Sequence, residues 1–169
     1  RWLPILRFPV VKQNAASSYE VRPIDDCTAC GLNPATGASE QMEMDGLVSL
    51  LAMAHAIAGT FPDLKRFFPV MAKGDHRKAY KQWPVHPEDR AMLVSLVWHD
   101  DVGPDGGFLA YSHSCLPFGA VASVWHYTRI SQGICGILRR LFGIPQIAYV
   151  DDFLRMMPHE YAQAAEDIF

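Results

Sequence analysis

Residues 146–157, Gln-Ile-Ala-Tyr-Val-Asp-Asp-Phe-Leu-Arg-Met-Met, set two adjacent carboxylates between two apolar flanks. Flanks of this length and composition predict a strand on each side, so the chain has to reverse at Asp151 and Asp152. A strand–Asp–Asp–strand hairpin holds two like charges at a tight turn. Unit charges about 4 Å apart repel by roughly 4 kcal/mol at an effective dielectric near 20. Two arrangements relieve that repulsion: an exposed turn that splays both carboxylates into water, or a cation between them. A divalent ion of the Mg²⁺ type suits the second, because it takes hard oxygen ligands and keeps positions open for water and phosphate.

Holding two such ions needs another carboxylate, and Asp75 is the candidate. It closes the short apolar segment Val70-Met71-Ala72-Lys73-Gly74-Asp75, which runs straight into His76-Arg77-Lys78-Ala79-Tyr80-Lys81-Gln82, a stretch of helical composition. If that segment pairs beside the hairpin, Asp75 and Asp151 face one another. Two ions held there could activate a 3′-hydroxyl and stabilise a leaving pyrophosphate.

The chain has 169 residues, enough for one domain or two closely packed subdomains. Half of its residues are hydrophobic and 20% are charged, as in an ordinary globular protein. No apolar run reaches membrane-spanning length, which predicts a soluble chain with no membrane partner. The chain starts at Arg1 in mid-pattern and stops at Phe169 inside an expected helix, so it reads as a piece of something longer. The net charge of −3 weighs against a nucleic-acid binder, whereas residues 65–90 carry seven bases (Lys65, Arg66, Lys73, Arg77, Lys78, Lys81, Arg90) against three acids. On charge alone a solvated face explains that run. Of the cysteines Cys27, Cys30, Cys115 and Cys135, only the first two are close, and zinc would need a second pair at suitable spacing. Reduced thiols in an intracellular protein are the plainer reading.

Residues 1–12 predict extended edge segments, 13–19 a loop, and Tyr19-Glu20-Val21-Arg22-Pro23-Ile24-Asp25-Asp26 a short strand broken by Pro23. Over 40–58, Met44, Leu47, Val48, Leu51, Ala54, His55 and Ala58 recur at helical spacing, with Ser39 to cap the start, Glu40 and Glu43 in the first turn and Gly59 to end it. His55 on that stripe is expected to be a hydrogen-bonded core histidine. The segment 85–90 reads as a turn, 91–98 as a strand, and 108–112 as its return partner in a hairpin. Residues 120–142 predict the longest helix, with Val121, Val124, Trp125, Thr128, Ile134, Ile137, Leu138, Leu141 and Phe142 on its apolar side and a stop at Gly143 and Pro145. Pro158 opens a last helix.

Four segments occur together in a telling order: Gly74-Asp75-His76-Arg77-Lys78-Ala79-Tyr80, then Pro84-Val85-His86-Pro87-Glu88-Asp89-Arg90, then Leu116-Pro117-Phe118-Gly119, then Tyr149-Val150-Asp151-Asp152. This resembles reverse transcriptases of the retrotransposon and retrovirus-like type, from about Lys12 to the chain end. The resemblance implies an α+β fold: a polymerase palm, an antiparallel sheet backed by helices in a split βαβ arrangement, with a fingers subdomain. Residues 1–68 and 86–118 would build the fingers, and 69–85 and 119–169 the palm. The thumb and a possible ribonuclease H region of the parent polyprotein would be missing.

By the same resemblance, Asp75, Asp151 and Asp152 would be catalytic and would ligate two Mg²⁺ ions (Mn²⁺ a possible substitute), with the His76 carbonyl as a helper. Tyr80, five residues after Asp75, matches a steric gate whose ring leaves no room for a ribose 2′-hydroxyl. Phe118 stands where retroviral enzymes carry Gln, near the incoming sugar and base, and Gly119 would let the backbone approach the template–nucleotide pair. Arg22 matches the fingers arginine over the incoming base and triphosphate, Asp26 the acid that follows it, and Lys12 the lysine on the last phosphate. The implied partners are an RNA or DNA template with a DNA primer, and deoxynucleoside triphosphates. Three alternatives stand beside this: an RNA-dependent RNA polymerase, against which Tyr80 speaks; an inactive remnant that binds nucleic acid or a partner protein; and an α+β domain whose Asp-Asp is a plain exposed turn.

Overall fold

A computed structural model describes residues 3–13, 18–37, 41–61, 63 and 69–168. Ser39 and Glu40, expected at a helix start, lie outside the described residues, as do Lys65, Arg66, the loop residues 14–17 and Phe169. In chain order the strands are β1 (Ile5–Gln13), β2 (Tyr19–Asp26), β3 (Pro69–Asp75), β4 (Val94–His99), β5 (Gly107–Ser112), β6 (Gln146–Tyr149) and β7 (Asp152–Pro158). The helices are α1 (Leu32–Ala35), α2 (Leu47–Thr60), α3 (Val121–Phe142) and α4 (Ala162–Ile168). The protein is thus mixed α+β, with sheets backed by helices. It divides into two compact units, Arg1–Glu40 with Lys78–Val124 and Gln41–Arg77 with Trp125–Phe169.

The first unit carries a four-stranded sheet in the order β2-β1-β4-β5. Strands β1 and β2 pair antiparallel from Leu6↔Asp26 to Gln13↔Tyr19. Pro9 stands opposite Pro23 in that register, so β2 runs unbroken through the proline expected to interrupt it. Antiparallel pairs alternate between hydrogen-bonded and non-bonded, and two prolines facing each other at a non-bonded pair remove nothing from the ladder. Most of this hairpin is exposed, and its base is held by charge. Arg7 donates through Nε to Asp25 Oδ1 at 2.8 Å and through Nη2 to Oδ2 at 2.9 Å. Asp25 is buried, and Ser95 Oγ donates to its Oδ1 at 3.3 Å. Ser95 Oγ in turn lies 2.7 Å from His113 Nε2. Ile5, Cys27 and Ala120 form the apolar core beside this network.

The second unit carries an antiparallel sheet in the order β3-β7-β6. Strand β7 alternates: Phe153, Arg155 and Met157 are buried, while Asp152, Leu154 and Met156 on the other face are half-buried. The buried face packs on α3 and α4 through two clusters, Cys135 with Ala148 and Phe153, and Leu138 with Ile144, Met157 and Ala165. There Arg155 donates through Nη1 to the Ala165 carbonyl at 3.3 Å and through Nη2 to Glu166 Oε2 at 3.1 Å.

Several elements depart from the sequence expectation. Helix α2 begins at Leu47, and residues 41–46 before it have no regular structure: the Glu43 carbonyl accepts from Gln132 Nε2 at 2.6 Å, and Asp45 Oδ2 accepts from the Ala148 N–H of edge strand β6 at 3.1 Å. Among its described residues α2 buries only Ile57; His55 is exposed, not a core histidine, and Leu47, Val48 and Leu51 are exposed with it. The stretch 76–82 is no α-helix. Lys78 (φ 63°) and Ala79 (φ 26°) leave the right-handed region, so only a 3₁₀ turn forms at Ala79–Gln82. A 3₁₀ helix at Pro87–Met92 delays β4 to Val94. On α3 the buried side is Ser123, Tyr127, Thr128, Ser131, Cys135 and Leu138, while Ile137, Leu141 and Phe142 are exposed. Ser123, Tyr127, Ser131 and Cys135 follow one another at i, i+4 spacing, so this buried row is largely polar.

Burial favours the neutral imidazole of His113 and lowers its pKa below the ordinary 6.5, against the smaller opposing pull of Asp25. The unfolded chain therefore takes up this proton first as the pH falls. The contribution is intact above pH 6.5 and is lost as the pH drops below it. Urea titrations across that range should show stability falling with pH, and His113→Gln should flatten the fall; an unchanged slope would show that His113 is not the group responsible.

Candidate functional site

Strands β3 and β7 pair from Pro69↔Pro158 to Asp75↔Asp152, so two carboxylates far apart in the chain stand directly opposite one another. Directly opposed antiparallel residues share a face and have β-carbons about 5 Å apart. The sequence pointed to Asp151 as the partner of Asp75; the structure pairs Asp75 with Asp152, the first residue of β7, and places Asp151 in the turn. The reversal is a two-residue loop, Val150-Asp151, between the closing pair Tyr149↔Asp152.

That turn is strained. Val150 has φ 56°, a region that β-branched residues avoid and that a two-residue hairpin demands. Such a residue costs about 1–3 kcal/mol and persists only where its surroundings over-determine it. Here α3 supplies the constraint: buried Ser131 Oγ lies 2.8 Å from the Val150 carbonyl and 2.9 Å from the Tyr127 carbonyl, either of which its single hydrogen can serve. Next to Asp75, the His76 ring turns toward the helix: Nδ1 lies 2.7 Å from Tyr127 Oη, and the ring centroid lies 4.8 Å from that of Phe153. The first carboxylate, the turn and α3 are thereby tied together.

The acidic face already holds a cation. Lys73 Nζ lies 2.8 Å from Asp152 Oδ1. The ammonium's pKa is raised, first by its hydrogen bond to Asp152 and also by the charges of Asp75 and Asp151. The carboxylates offer hard oxygen donors, the chemistry that suits Mg²⁺, and the seated ammonium shows that they attract positive charge. Among the described residues, however, no three His, Cys, Asp or Glu side chains are gathered closely enough to hold a metal ion. Lys73, Ser131 and Tyr127 were not singled out from the sequence for this site. Lys73 had a usable signal: at two residues before Asp75 on a strand, it must share that residue's face.

The remaining expected site residues belong to the first unit. Backbone bonds from Leu116 N to the Trp83 carbonyl and from Val85 N to the Ser114 carbonyl clip two segments together. They bring the buried Tyr80 ring edge-on to Phe118 at a centroid distance of 4.9 Å. Gly119 has φ 93°, and a β-carbon there would overlap the Asp25 carbonyl oxygen. Its carbonyl accepts from Asn33 Nδ2 at 2.9 Å, while Asn33 Oδ1 accepts from the Val121 N–H at 2.8 Å, capping α3 from across the chain. On the β1/β2 hairpin, Lys12 is opposite Glu20 and Val10 opposite Arg22, so Lys12, Glu20 and Arg22 share one face. Arg22 Nη2 donates to Glu20 Oε2 at 3.0 Å, and this pairing, helped by Lys12, lowers the Glu20 pKa. Asp26 Oδ1 accepts from the N–H groups of Thr28 and Ala29 at 3.0 and 2.8 Å, which makes it a turn cap.

Cys27 and Cys30 are both free thiols. Burial pushes the Cys27 pKa up to about 12, so it stays protonated at neutral pH and is a poor metal ligand. No protein-family model matches the chain, and no curated protein matches it.

Gly119→Ala forces a β-carbon into the Asp25 backbone at a positive φ. It should lower stability by about 2 kcal/mol or more in chemical denaturation; a neutral substitution would refute the close approach.

Proposed function

We propose that this chain is the fingers–palm portion of an RNA-directed DNA polymerase, a reverse transcriptase that extends a DNA primer on an RNA or DNA template from deoxynucleoside triphosphates. The observation that carries the reading is the β3/β7 register, which sets Asp75 opposite Asp152 with Asp151 in the adjoining turn. The strand–helix–strand–strand order of β3, α3, β6 and β7 is consistent with a split βαβ palm, and the first unit would supply the fingers.

Asp75, Asp151 and Asp152, with the His76 carbonyl, would hold two Mg²⁺ ions, or Mn²⁺ in their place. Bound there, the metal supplies Lewis acidity toward the primer 3′-hydroxyl and the leaving pyrophosphate. The protein's own residues select and orient. Tyr80, braced edge-on by Phe118, is the gate against a ribose 2′-hydroxyl. Arg22 and Lys12, on one face of the β1/β2 hairpin, would receive the triphosphate, with Arg22 exchanging Glu20 for phosphate. Ser131 and Tyr127 fix the turn and His76, and so aim the carboxylates.

A second reading is an inactive remnant that binds nucleic acid or a partner protein. The Lys73–Asp152 ion pair favours it, since one oxygen of the acidic face is already engaged.

Primer extension on a primed RNA template separates the two. The full-length protein should require Mg²⁺ or Mn²⁺, and Asp151→Asn should lower the rate at least about 100-fold, the scale of losing a group that stabilises transition-state charge. Extension that survives this substitution would contradict the two-ion mechanism. Tyr80→Ala should raise ribonucleotide use relative to deoxynucleotide use in the same preparation, a ratio that is independent of how much protein folds. An unchanged ratio would remove Tyr80 as the gate.

A further inference from the structure

We propose that Lys73 is a built-in counterion of the carboxylate face, which a divalent metal must displace from Asp152 in order to bind. The inference rests on reading that face as a metal centre. Lys73 and Asp75 are two residues apart on β3, so their side chains leave the same face of the sheet. Asp152 is directly opposite Asp75 and diagonal to Lys73, whose own partner is Leu154. This diagonal is short enough for a long side chain to cross, and the ammonium does so, reaching Asp152 Oδ1 at 2.8 Å.

The consequence is electrostatic. Three carboxylates near one turn repel each other, and a single ammonium lowers that repulsion without a metal. It also occupies an oxygen that a metal would need. An ammonium and a dication on one carboxylate oxygen repel strongly, so metal entry requires the lysine to swing away. Nothing prevents that movement: the Lys73 side chain is 60% exposed, its four-carbon stem is flexible, and exposed ion pairs are weak. Lys73 therefore competes with the metal for Asp152 and offsets part of the repulsion among the carboxylates without it.

Mn²⁺ titration of the full chain, followed by loss of the free-ion electron paramagnetic resonance signal, tests this without any catalytic readout. Lys73→Met, at an exposed strand position, should bind Mn²⁺ about fivefold more tightly than the parent, the scale of removing one exposed ion pair. Lys73→Arg should stay near the parent, and Asp152→Asn should weaken binding. Unchanged or weaker binding in Lys73→Met, while Asp152→Asn still weakens it, overturns the counterion role and leaves the metal centre standing. Absence of any Asp152-dependent Mn²⁺ binding overturns both. In parallel, Mg²⁺ should shift the Lys73 side-chain NMR resonance in the parent and not in Asp152→Asn; an unmoved resonance at saturating Mg²⁺ also overturns the proposal.

Discussion

The antiparallel ladder between β3 and β7 is the constraint on which the acidic face depends. Its partners are separated by a long excursion of chain through the first unit, and its register runs without interruption from Pro69↔Pro158 to Asp75↔Asp152. A slip of one residue would turn Asp152 to the face now filled by Phe153 and would bury a carboxylate against α3. The alternation of Phe153, Arg155 and Met157 against helices on one side therefore specifies where the carboxylates emerge on the other. Hydrophobic packing, a non-directional force, here sets the position of charge to within one residue.

Around that ladder the protein concentrates local strain and its compensation. Val150 holds a positive φ in the tightest turn of the sheet, and a serine on the longest helix fixes its carbonyl. His76 is turned onto Tyr127 and Phe153, so the backbone that follows Asp75 cannot drift from α3. Lys73 closes the arrangement electrostatically. In the first unit a comparable economy appears at Gly119, where one glycine allows the Asp25 carbonyl to approach and one asparagine caps the start of α3.

How much of this could be read in the sequence varies with the physics. The β6/β7 hairpin and the span of α3 were legible because apolar flanks, a reversal and a Gly143–Pro145 stop act locally. The start of α2 was not, because residues 43–45 are recruited by Gln132 and Ala148, partners roughly a hundred positions away. The 76–82 segment has helical composition, yet Lys78 and Ala79 take left-handed backbone, a choice no propensity reports. The buried side of α3 was legible only in part: Thr128 and Leu138 are buried as their spacing suggests, whereas the buried polar residues Ser123 and Ser131 are passed over by a search for apolar stripes. The neighbourhood of Asp75 and Asp152 was legible because adjacent carboxylates between two strands need explaining, although the facing partner is Asp152 and not Asp151. Lys73 was counted only as part of a basic run, although period-two geometry puts it beside Asp75.

The proposed polymerase reading requires Asp75, Asp151 and Asp152 to act together on one cation, from the end of the β3/β7 ladder and its adjoining turn. The most direct test is paramagnetic broadening of backbone amide signals by substoichiometric Mn²⁺ in the 169-residue chain. Broadening should begin at residues 73–76 together with 149–153, the two ends of the β3/β7 ladder and its turn. Broadening at one of these segments without the other, or centred elsewhere on the protein, would contradict it.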